Sequence, residues 1–486
     1  MWADWKVYER GGAVFSALEP HTDWFKRRIK GREFYNVSQA FYGFKGAHLY
    51  WCYGQPGYRQ NALTWIKRWV VQVTRGSFFK VAQTRYAACR KYLLSLLEVP
   101  LPKDAKNLLA RFDKIHELLL LHTRTLGIAI DAFDDYFGEV FAEALRRAGY
   151  GQLVDHKEDW AILQQASYRS VIMGYKLDLL NFSSLRAKRS NLMRSPRSDC
   201  GVGARDDMHC IWKEYFWFTM GWSGTKPLQK SDIIQEMRKV KGKSAELRQY
   251  AQKISKARQA VIRKWKIPVK VIQPYLRVLD ACARLHDERK EIQMRTLYAM
   301  DEIRKATAKR YRVPIRDVQM LTVHETRAFF KNGRLPRAII ARRRIGYCAK
   351  FERGRMTFEK YGKAVWGAID QELAMPDTVH HEVRGTIASR GHAIGRAIVT
   401  DDPKVAMRLV KRGDILITSM TTPDFVPAIK KAGGVVTNEG GVTVHAAIVS
   451  REFGIPCITG TVHATHVFKT GDYVEVDAIQ GKVKQV

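Results

Sequence analysis

The chain has 486 residues, of which 46% are hydrophobic and 27% charged, a composition typical of a globular protein with room for about three domains. Lys and Arg number 83 against 48 Asp and Glu, a net charge of +35, and 70 of these basic and 37 of the acidic residues lie in the first 375 residues. The sequence shows neither a signal peptide nor a run of ~18 apolar residues, and its seven scattered cysteines lack C-x-x-C pairs, so we expect a cytoplasmic protein without a membrane span, zinc site or disulfide framework.

Residues 1–375 are predicted to form a large, basic, mostly α-helical region. Apolar residues recur at spacings of three and four along 105–147, 232–264 and 274–309, with Lys, Arg and Glu between them. Signals for β-strands are few in this part of the chain. We therefore expect an α-helical N-terminal region.

The positive charge of this region is expected to attract polyanions. The stretch from Trp65 to Tyr92 is basic and rich in aromatic residues, a composition that suits nucleic acid or a phosphorylated substrate. A solvated basic surface, or docking to an acidic partner, explains the same composition. No recognisable nucleic-acid-binding module accompanies the charge, so nucleic-acid binding is the second hypothesis for this chain.

The segment 183–207 differs from its surroundings, because it is polar, lacks aromatic residues and has no sustained period. Such a segment predicts a flexible surface insertion between the helix that ends near Phe182 and the Trp-rich stretch that begins at His209.

Residues 376–486 are predicted to form a separate α/β domain. Short β-like runs occur at 397–400, 414–418, 434–437 and 473–476. Helical stretches are predicted after Pro403, after Pro423 and after Thr443.

The run from Gly440 to Arg451 is the strongest functional signal in the sequence. Glycines 440 and 441 precede Thr443, a plausible N-cap, and His445 then falls in the first turn of a helix that ends before Gly454. The first turn of a helix offers unpaired N–H groups and the positive end of the helix dipole. A phosphate on the imidazole of His445 would therefore meet donors, and a neutral imidazole is a competent nucleophile near neutral pH.

Together with the runs 413–425, 432–439, 454–460 and 471–477, this motif resembles the swivelling phosphohistidine domain of phosphoenolpyruvate (PEP)-utilising enzymes. PEP synthase, pyruvate phosphate dikinase and rifampin phosphotransferase belong to that group. The resemblance extends from about Gly385 to Val486 and implies a β/β/α domain that shuttles between two active sites.

The resemblance also implies roles for individual residues. His445 matches the histidine that accepts and donates the phosphoryl group, and Thr443 matches the hydroxyl residue beside it, so His445 and Thr443 are the candidate catalytic residues. Gly440 and Gly441 match the glycine pair of the phosphorylation loop.

Two further matches are less direct. The run Met420-Thr421-Thr422-Pro423 resembles a second loop close to the histidine, so Thr421 and Thr422 are candidate phosphate-binding residues. Arg451 also fits the family pattern, but it lies six residues beyond His445, on a different face of the helix, and a structural ion pair is the preferred interpretation.

A weaker resemblance covers 270–345, including the runs 284–290 and 318–325. These runs are similar to the helical region that precedes the phosphohistidine domain in rifampin phosphotransferase-like proteins, where it helps to hold the acceptor. We prefer a structural role, buried ion pairing and packing, for Asp287, Arg289 and Lys290.

The sequence contains neither a recognisable ATP-grasp fold nor a barrel-like pyruvate domain. The resemblance therefore implies a phosphotransferase, or its phosphocarrier component, that receives its phosphoryl group from PEP or through a separate ATP-grasp partner. Mg²⁺ would accompany the ATP or PEP, and no metal motif is evident in the sequence. The acceptor, expected to be an anionic small molecule, is not identified by these residues. The alternative is a non-catalytic protein whose basic helices bind nucleic acid or an acidic partner.

Overall fold

The computed structural model describes residues 5–11, 39–45, 48–75, 77–168, 171–187, 206–218, 220, 227–240, 244–352, 355–372, 382–441 and 444–486. The chain forms two compact units, each built from separate stretches of sequence. Unit 1 contains residues 1–70, 128–165 and 336–486, and unit 2 contains residues 71–127 and 166–335. None of the helices in the described ranges is both long enough and apolar enough to cross a bilayer.

The strands, in chain order, are β1 (Trp5–Gly11), β2 (Gln39–Lys45), β3 (His48–Gly54), β4 (Gly346–Glu352), β5 (Arg355–Tyr361), β6 (Glu382–Arg384), β7 (Thr386–Ser389), β8 (His392–Val399), β9 (Ile415–Thr418), β10 (Gly434–Thr437), β11 (Cys457–Thr459), β12 (Tyr473–Asp477) and β13 (Lys482–Gln485).

The helices are α1 (Gln55–Arg75), α2 (Ser77–Ser95), α3 (Ala105–Arg147), α4 (Gly151–Asp155), α5 (Lys157–Leu163), α6 (Val171–Ala187), α7 (Asp206–Tyr215), α8 (Lys230–Val240), α9 (Ser244–Lys264), α10 (Val269–Arg310), α11 (Ile315–Val318), α12 (Val323–Asn332), α13 (Arg337–Ile345), α14 (Ala364–Glu372), α15 (Pro403–Leu409), α16 (Val426–Ile429), α17 (His445–Phe453) and α18 (Ala464–Val467).

An eight-stranded mixed sheet organises residues 382–486, in the order β6-β13-β12-β8-β9-β10-β11-β7. Strands β8, β9, β10 and β11 are parallel neighbours, whereas the strands outside them pair antiparallel. All residues of β9 and β10 are buried, as expected for parallel strands covered on both faces. The predicted α/β pattern of this region is confirmed, although β6, β7, β11 and β13 were not predicted.

Two apolar clusters cover this sheet. One contains Leu416, Phe425, Ile429, Val435 and Ala447, and so joins the sheet to α16 and α17. The other contains residues of β12, β13 and the short helix α18. Both clusters include residues of β9 and β10. Helices α16 and α17 therefore pack on the central strands of the sheet.

Unit 1 also contains a five-stranded antiparallel sheet, in the order β1-β3-β2-β4-β5. Here the sequence prediction was incomplete, since it expected few strands before residue 375. Strand β2 pairs with β4, which lies some 300 residues later in the chain. Apolar residues at helical spacing dominate the sequence between these two strands. The strand-like pattern of residues 39–54 was too short to predict a sheet.

Unit 2 is helical, as predicted, and its core contains a buried charge network. Glu291 of α10 is 4% exposed. Its carboxylate accepts hydrogen bonds from Tyr86 Oη (2.6 Å), Arg90 Nε (2.9 Å) and Arg295 Nε (2.7 Å). Partners of opposite charge compensate for the desolvation of this carboxylate, so the network fixes how α2 packs on α10.

Three predictions about the helical region change in detail. The predicted helix 232–264 corresponds to α8 and α9, and 241–243 between them lie outside the described residues. Helix α6 continues to Ala187, five residues past its predicted end, and 188–205, the centre of the predicted insertion, lies outside the described residues.

Trp65 and Trp69, in the aromatic stretch proposed for nucleic acid, are 5% and 1% exposed. They pack in the core and do not offer their rings to a ligand.

The polar cluster of α10 has strongly perturbed ionisation. Burial raises the pKa of Asp287, which accepts a hydrogen bond from the Val171 N–H (2.8 Å), and burial lowers the pKa of Lys290. The pKa of Glu288 is raised from 4.5 to about 7, mainly by burial; Arg284 opposes this rise, and Glu291 and Asp287 add to it.

The raised pKa of Glu288 makes the free energy of unfolding depend on pH. Because its folded-state pKa lies above 4.5, its protonated form favours folding, and this contribution is lost as pH rises from about 4.5 through 7. Glu288→Gln mimics the protonated group. We expect this variant to be more stable than the parent at pH 8 by roughly 2–3 kcal/mol, with little difference at pH 4.5, in urea unfolding across that range.

Glu117→Gln is the matched control, because the Glu117 side chain is 67% exposed on α3. We expect this control to show the same difference in free energy of unfolding between pH 4.5 and pH 8 as the parent. Equal stability of Glu288→Gln and the parent at both pH values would contradict the assignment.

Candidate functional site

Three loops that follow parallel strands meet at one edge of the eight-stranded sheet. Residues 419–422 follow β9, residues 438–444 follow β10, and residues 460–463 follow β11. Since parallel neighbours end at the same edge, the topology brings these loops together. The N-terminus of α17 lies at the end of the second loop.

His445 is the first residue of α17, in the first turn as predicted. The first amide to enter the helical ladder is that of Ile448, which donates to the Val444 carbonyl oxygen (3.0 Å). The N–H groups of the three preceding residues therefore have no partner within the helix. Together with the helix dipole, they make this turn favourable for an anion.

The predicted N-cap is displaced by one residue. Val444 occupies the N-cap position in an extended conformation, and it has no side-chain capping hydrogen bond. Thr443, predicted as N-cap and as a catalytic hydroxyl, lies outside the described residues. At the other end, Gly454 adopts the left-handed conformation (φ 65°) and ends the helix as expected.

Thr421 contacts the imidazole directly. Its Oγ1 lies 3.0 Å from His445 Nδ1, and the Thr421 side chain is buried while His445 is partly exposed. A hydrogen bond donated by Nδ1–H to this oxygen leaves the lone pair on Nε2, the nitrogen that could attack phosphorus. Thr421 of the loop after β9 thus holds the imidazole in one orientation, and the ring tautomer sets the direction of the hydrogen bond.

An aspartate that was not identified in the sequence holds this loop. Asp401 Oδ1 accepts hydrogen bonds from Thr418 Oγ1 (2.9 Å), Ser419 N (2.7 Å) and Ser419 Oγ (2.7 Å). Ser419 immediately precedes Met420 and Thr421 in the chain. The aspartate lies 44 residues before the histidine and has no motif spacing to it, so only the fold reveals its role.

The glycine loop is held by the loop after β11. Gly440 has φ +100°, a conformation that favours glycine, and a Cβ there would lie 2.7 Å from the Val444 side chain. Thr459 Oγ1 donates to the Gly441 carbonyl oxygen (3.1 Å). A Cβ on Gly460 would lie 2.6 Å from the Gly440 carbonyl oxygen. The close approach of these two loops therefore requires glycine at 460, whereas Gly440 is required by its φ and by Val444.

Two other candidate residues take structural positions. Thr422 is exposed, and its carbonyl oxygen accepts a hydrogen bond from Phe425 N (2.9 Å) in the turn that starts α16. Arg451 Nε donates to the Ala447 carbonyl oxygen (2.9 Å), one turn earlier in α17.

Cys457 is the cysteine of this domain, and it is not an alternative nucleophile. It is fully buried in β11, and burial raises its pKa to about 12, so its thiol stays protonated near neutral pH.

The known proteins to which this chain is similar match its C-terminal region. Residues 410–481 match the family described as PEP-utilising enzyme, mobile domain. Phosphoenolpyruvate synthase from Pyrococcus furiosus is 54% identical over 101 residues, which are 21% of this chain and 12% of that protein.

Two further relatives give the same result. A probable phosphoenolpyruvate synthase from Methanothermobacter thermautotrophicus is 52% identical over 101 residues (21% of this chain, 15% of that protein). Phosphoenolpyruvate synthase from Aquifex aeolicus is 40% identical over 114 residues (22% of this chain, 13% of that protein). The chain thus matches only about an eighth of the length of these relatives. The resemblance of the C-terminal region to the mobile domain is confirmed.

The conformation of Gly440 leads to a stability prediction. Gly440→Ala should destabilise the chain by about 1–3 kcal/mol in urea unfolding, because alanine is strained at this φ and its methyl group meets Val444. Gly367→Ala in α14 is the matched control, since a Cβ there meets no atom within 4 Å. We expect that control to be neutral or slightly stabilising. An unchanged midpoint for Gly440→Ala would show that the loop does not need glycine.

Proposed function

We propose that this chain is a phosphotransferase, or the phosphocarrier component of one, in which Nε2 of His445 carries the phosphoryl group. The observation that supports the proposal is the placement of one imidazole at a helix N-terminus with its Nδ1 engaged by Thr421. The mobile-domain match and the phosphoenolpyruvate synthases support a phosphotransfer role in general.

In the proposed reaction, the Nε2 lone pair attacks the phosphorus of the donor. An N–P bond forms while the P–O bond to the leaving group breaks, and the electron pair of that bond stays on the leaving oxygen. The Nδ1 proton remains on the ring and is shared with Thr421 Oγ1, which stabilises the imidazolium that develops. The amides of the first turn of α17 then compensate the charge of the bound phosphoryl group. Transfer to the acceptor reverses these bond changes.

The donor is proposed to be ATP, delivered through a separate ATP-grasp protein, or PEP directly, and the acceptor is proposed to be an anionic small molecule. Mg²⁺ is proposed to arrive on the phosphates of the donor. Within the described ranges, no group of three or more His, Cys, Asp or Glu side chains could hold a metal ion, and Asp401 is engaged by Thr418 and Ser419. The described residues therefore do not fit a resident Mg²⁺ site, and no step is assigned to one.

The primary test is phosphoryl uptake. Purified protein, alone and with cell extract, is incubated with β- or γ-labelled ATP in parallel, or with labelled PEP. We expect an acid-labile, base-stable label that is absent from His445→Ala. His392→Ala is the matched control, because His392 is exposed and pairs with Glu475 on the sheet, and it should retain the full label. Absence of label in the parent, even with extract, would refute the proposal.

The Thr421 hydroxyl gives a second prediction. Thr421→Val keeps the shape of the side chain but removes the oxygen that faces Nδ1. A hydrogen bond to a charged group contributes about 1.5–3 kcal/mol, so phosphorylation of His445 should slow roughly 10- to 100-fold. Thr357→Val, at an exposed threonine of β5 in the five-stranded sheet, should slow it less than about 3-fold. Rapid-quench measurement of the label compares the two, and equal rates for both variants would remove Thr421 from the mechanism.

A further inference from the structure

One short segment of unit 1 is strongly basic. Residues 336–369 contain nine Arg and Lys but only two Glu. Helix α13 has no acidic residue in its first turn and three arginines in its last turn. Arg337 at the N-terminus of α13 opposes the helix dipole, whereas the three arginines of the last turn lie at its favourable end.

The arginines of α13 divide between a buried face and two exposed flanks. Ile340 and Arg343 are buried, and the Arg343 guanidinium lies over tyrosine rings of β4 and β5. With about 100° between successive residues, Arg342 lies on one flank of the helix, and Arg344 and Arg337 lie on the other. All three are exposed.

A strip of small and apolar residues separates the two flanks. Ala338, Ala341 and Ile345 face away from the sheet, and Ile345 is 40% exposed. At the end of the strip, Trp366 of α14 donates from its indole Nε1 to the Ile345 carbonyl oxygen (3.3 Å). This bond holds one edge of the ring, yet the residue stays 43% exposed.

An exposed tryptophan beside arginine flanks combines the two features of a single-strand binding surface. Arginine forks bind phosphates in bidentate geometry, and an aromatic ring stacks on a base of any sequence. Because Trp and Arg also occur at protein–protein interfaces, an acidic peptide is the competing ligand in the test below. The aromatic stretch of α1 does not compete for this role, because Trp65 and Trp69 are buried.

We propose that Arg337, Arg342, Arg344, Ile345 and Trp366 form a binding surface for single-stranded nucleic acid, termed here the arginine surface. The arginines contact phosphates on both sides of the apolar strip, and Trp366 stacks on a base at its end. None of these residues takes part in the proposed chemistry of His445, so the two proposals fail independently.

The test uses the full chain and a fluorescent uridine oligonucleotide of about 20 nucleotides, longer than the ~4–16 nucleotides that one single-strand module covers. Fluorescence anisotropy measures the Kd between about 50 and 200 mM salt. We expect Arg337→Gln/Arg342→Gln/Arg344→Gln to weaken binding at least 10-fold. The slope of log K against log salt should fall by about 2, since each phosphate contact on a single strand contributes about 0.7.

The matched control replaces three exposed basic residues of helix α9, as Lys253→Gln/Lys256→Gln/Arg263→Gln. It removes the same charge and should weaken binding less than about 3-fold. Equal losses in the two triple variants would show general attraction to a basic chain and overturn the proposal.

The indole is tested separately. Trp366→Ala should weaken binding roughly 5- to 100-fold and leave the salt slope unchanged, because stacking involves no phosphate, whereas Trp366→Phe should restore part of the affinity. An unchanged Kd for Trp366→Ala would overturn the stacking assignment. Binding of a polyglutamate peptide that depends on the three arginines, without binding of the oligonucleotide, would identify an acidic protein partner instead. All variants should match the parent in circular dichroism and in label uptake at His445.

Discussion

The candidate site depends on one constraint, the parallel pairing of β9 with β10 and of β10 with β11. Strands that run in the same direction release their chains at the same edge of a sheet. For this reason Thr421, Gly440 and Gly460, which are up to 39 residues apart in sequence, belong to loops that touch. The three loops hold one another, and no single loop would fix the imidazole.

The polar residues around this edge have different tasks. Asp401 holds the backbone that carries Thr421, Thr421 orients the imidazole, and Thr459 holds the glycine loop. Thr421 contacts the histidine directly. The position of the nucleophile thus depends on hydrogen bonds within and between the loops as well as on its direct contact.

The sequence predicted local features of the site well and non-local features poorly. The helix start near His445, its end at Gly454 and the strands β9 and β10 follow from periodicity and glycine, which act over a few residues. The role of Asp401 and the pairing of β2 with β4 depend on contacts between distant parts of the chain, which no local pattern records. Tryptophans were misinterpreted for a related reason, since composition does not distinguish the buried Trp69 from the exposed Trp366.

The pairing of β2 with β4 also has a consequence for biosynthesis. Strand β3 ends at Gly54, but β4, the next strand of the same sheet, begins at Gly346. A chain that emerges from the ribosome in order therefore exposes one open sheet edge until all of the sequence assigned to unit 2 has been made. An unpaired edge held for that time is a template for association with other chains. The pairing that covers the β2 edge therefore forms only after Glu352 has been synthesised.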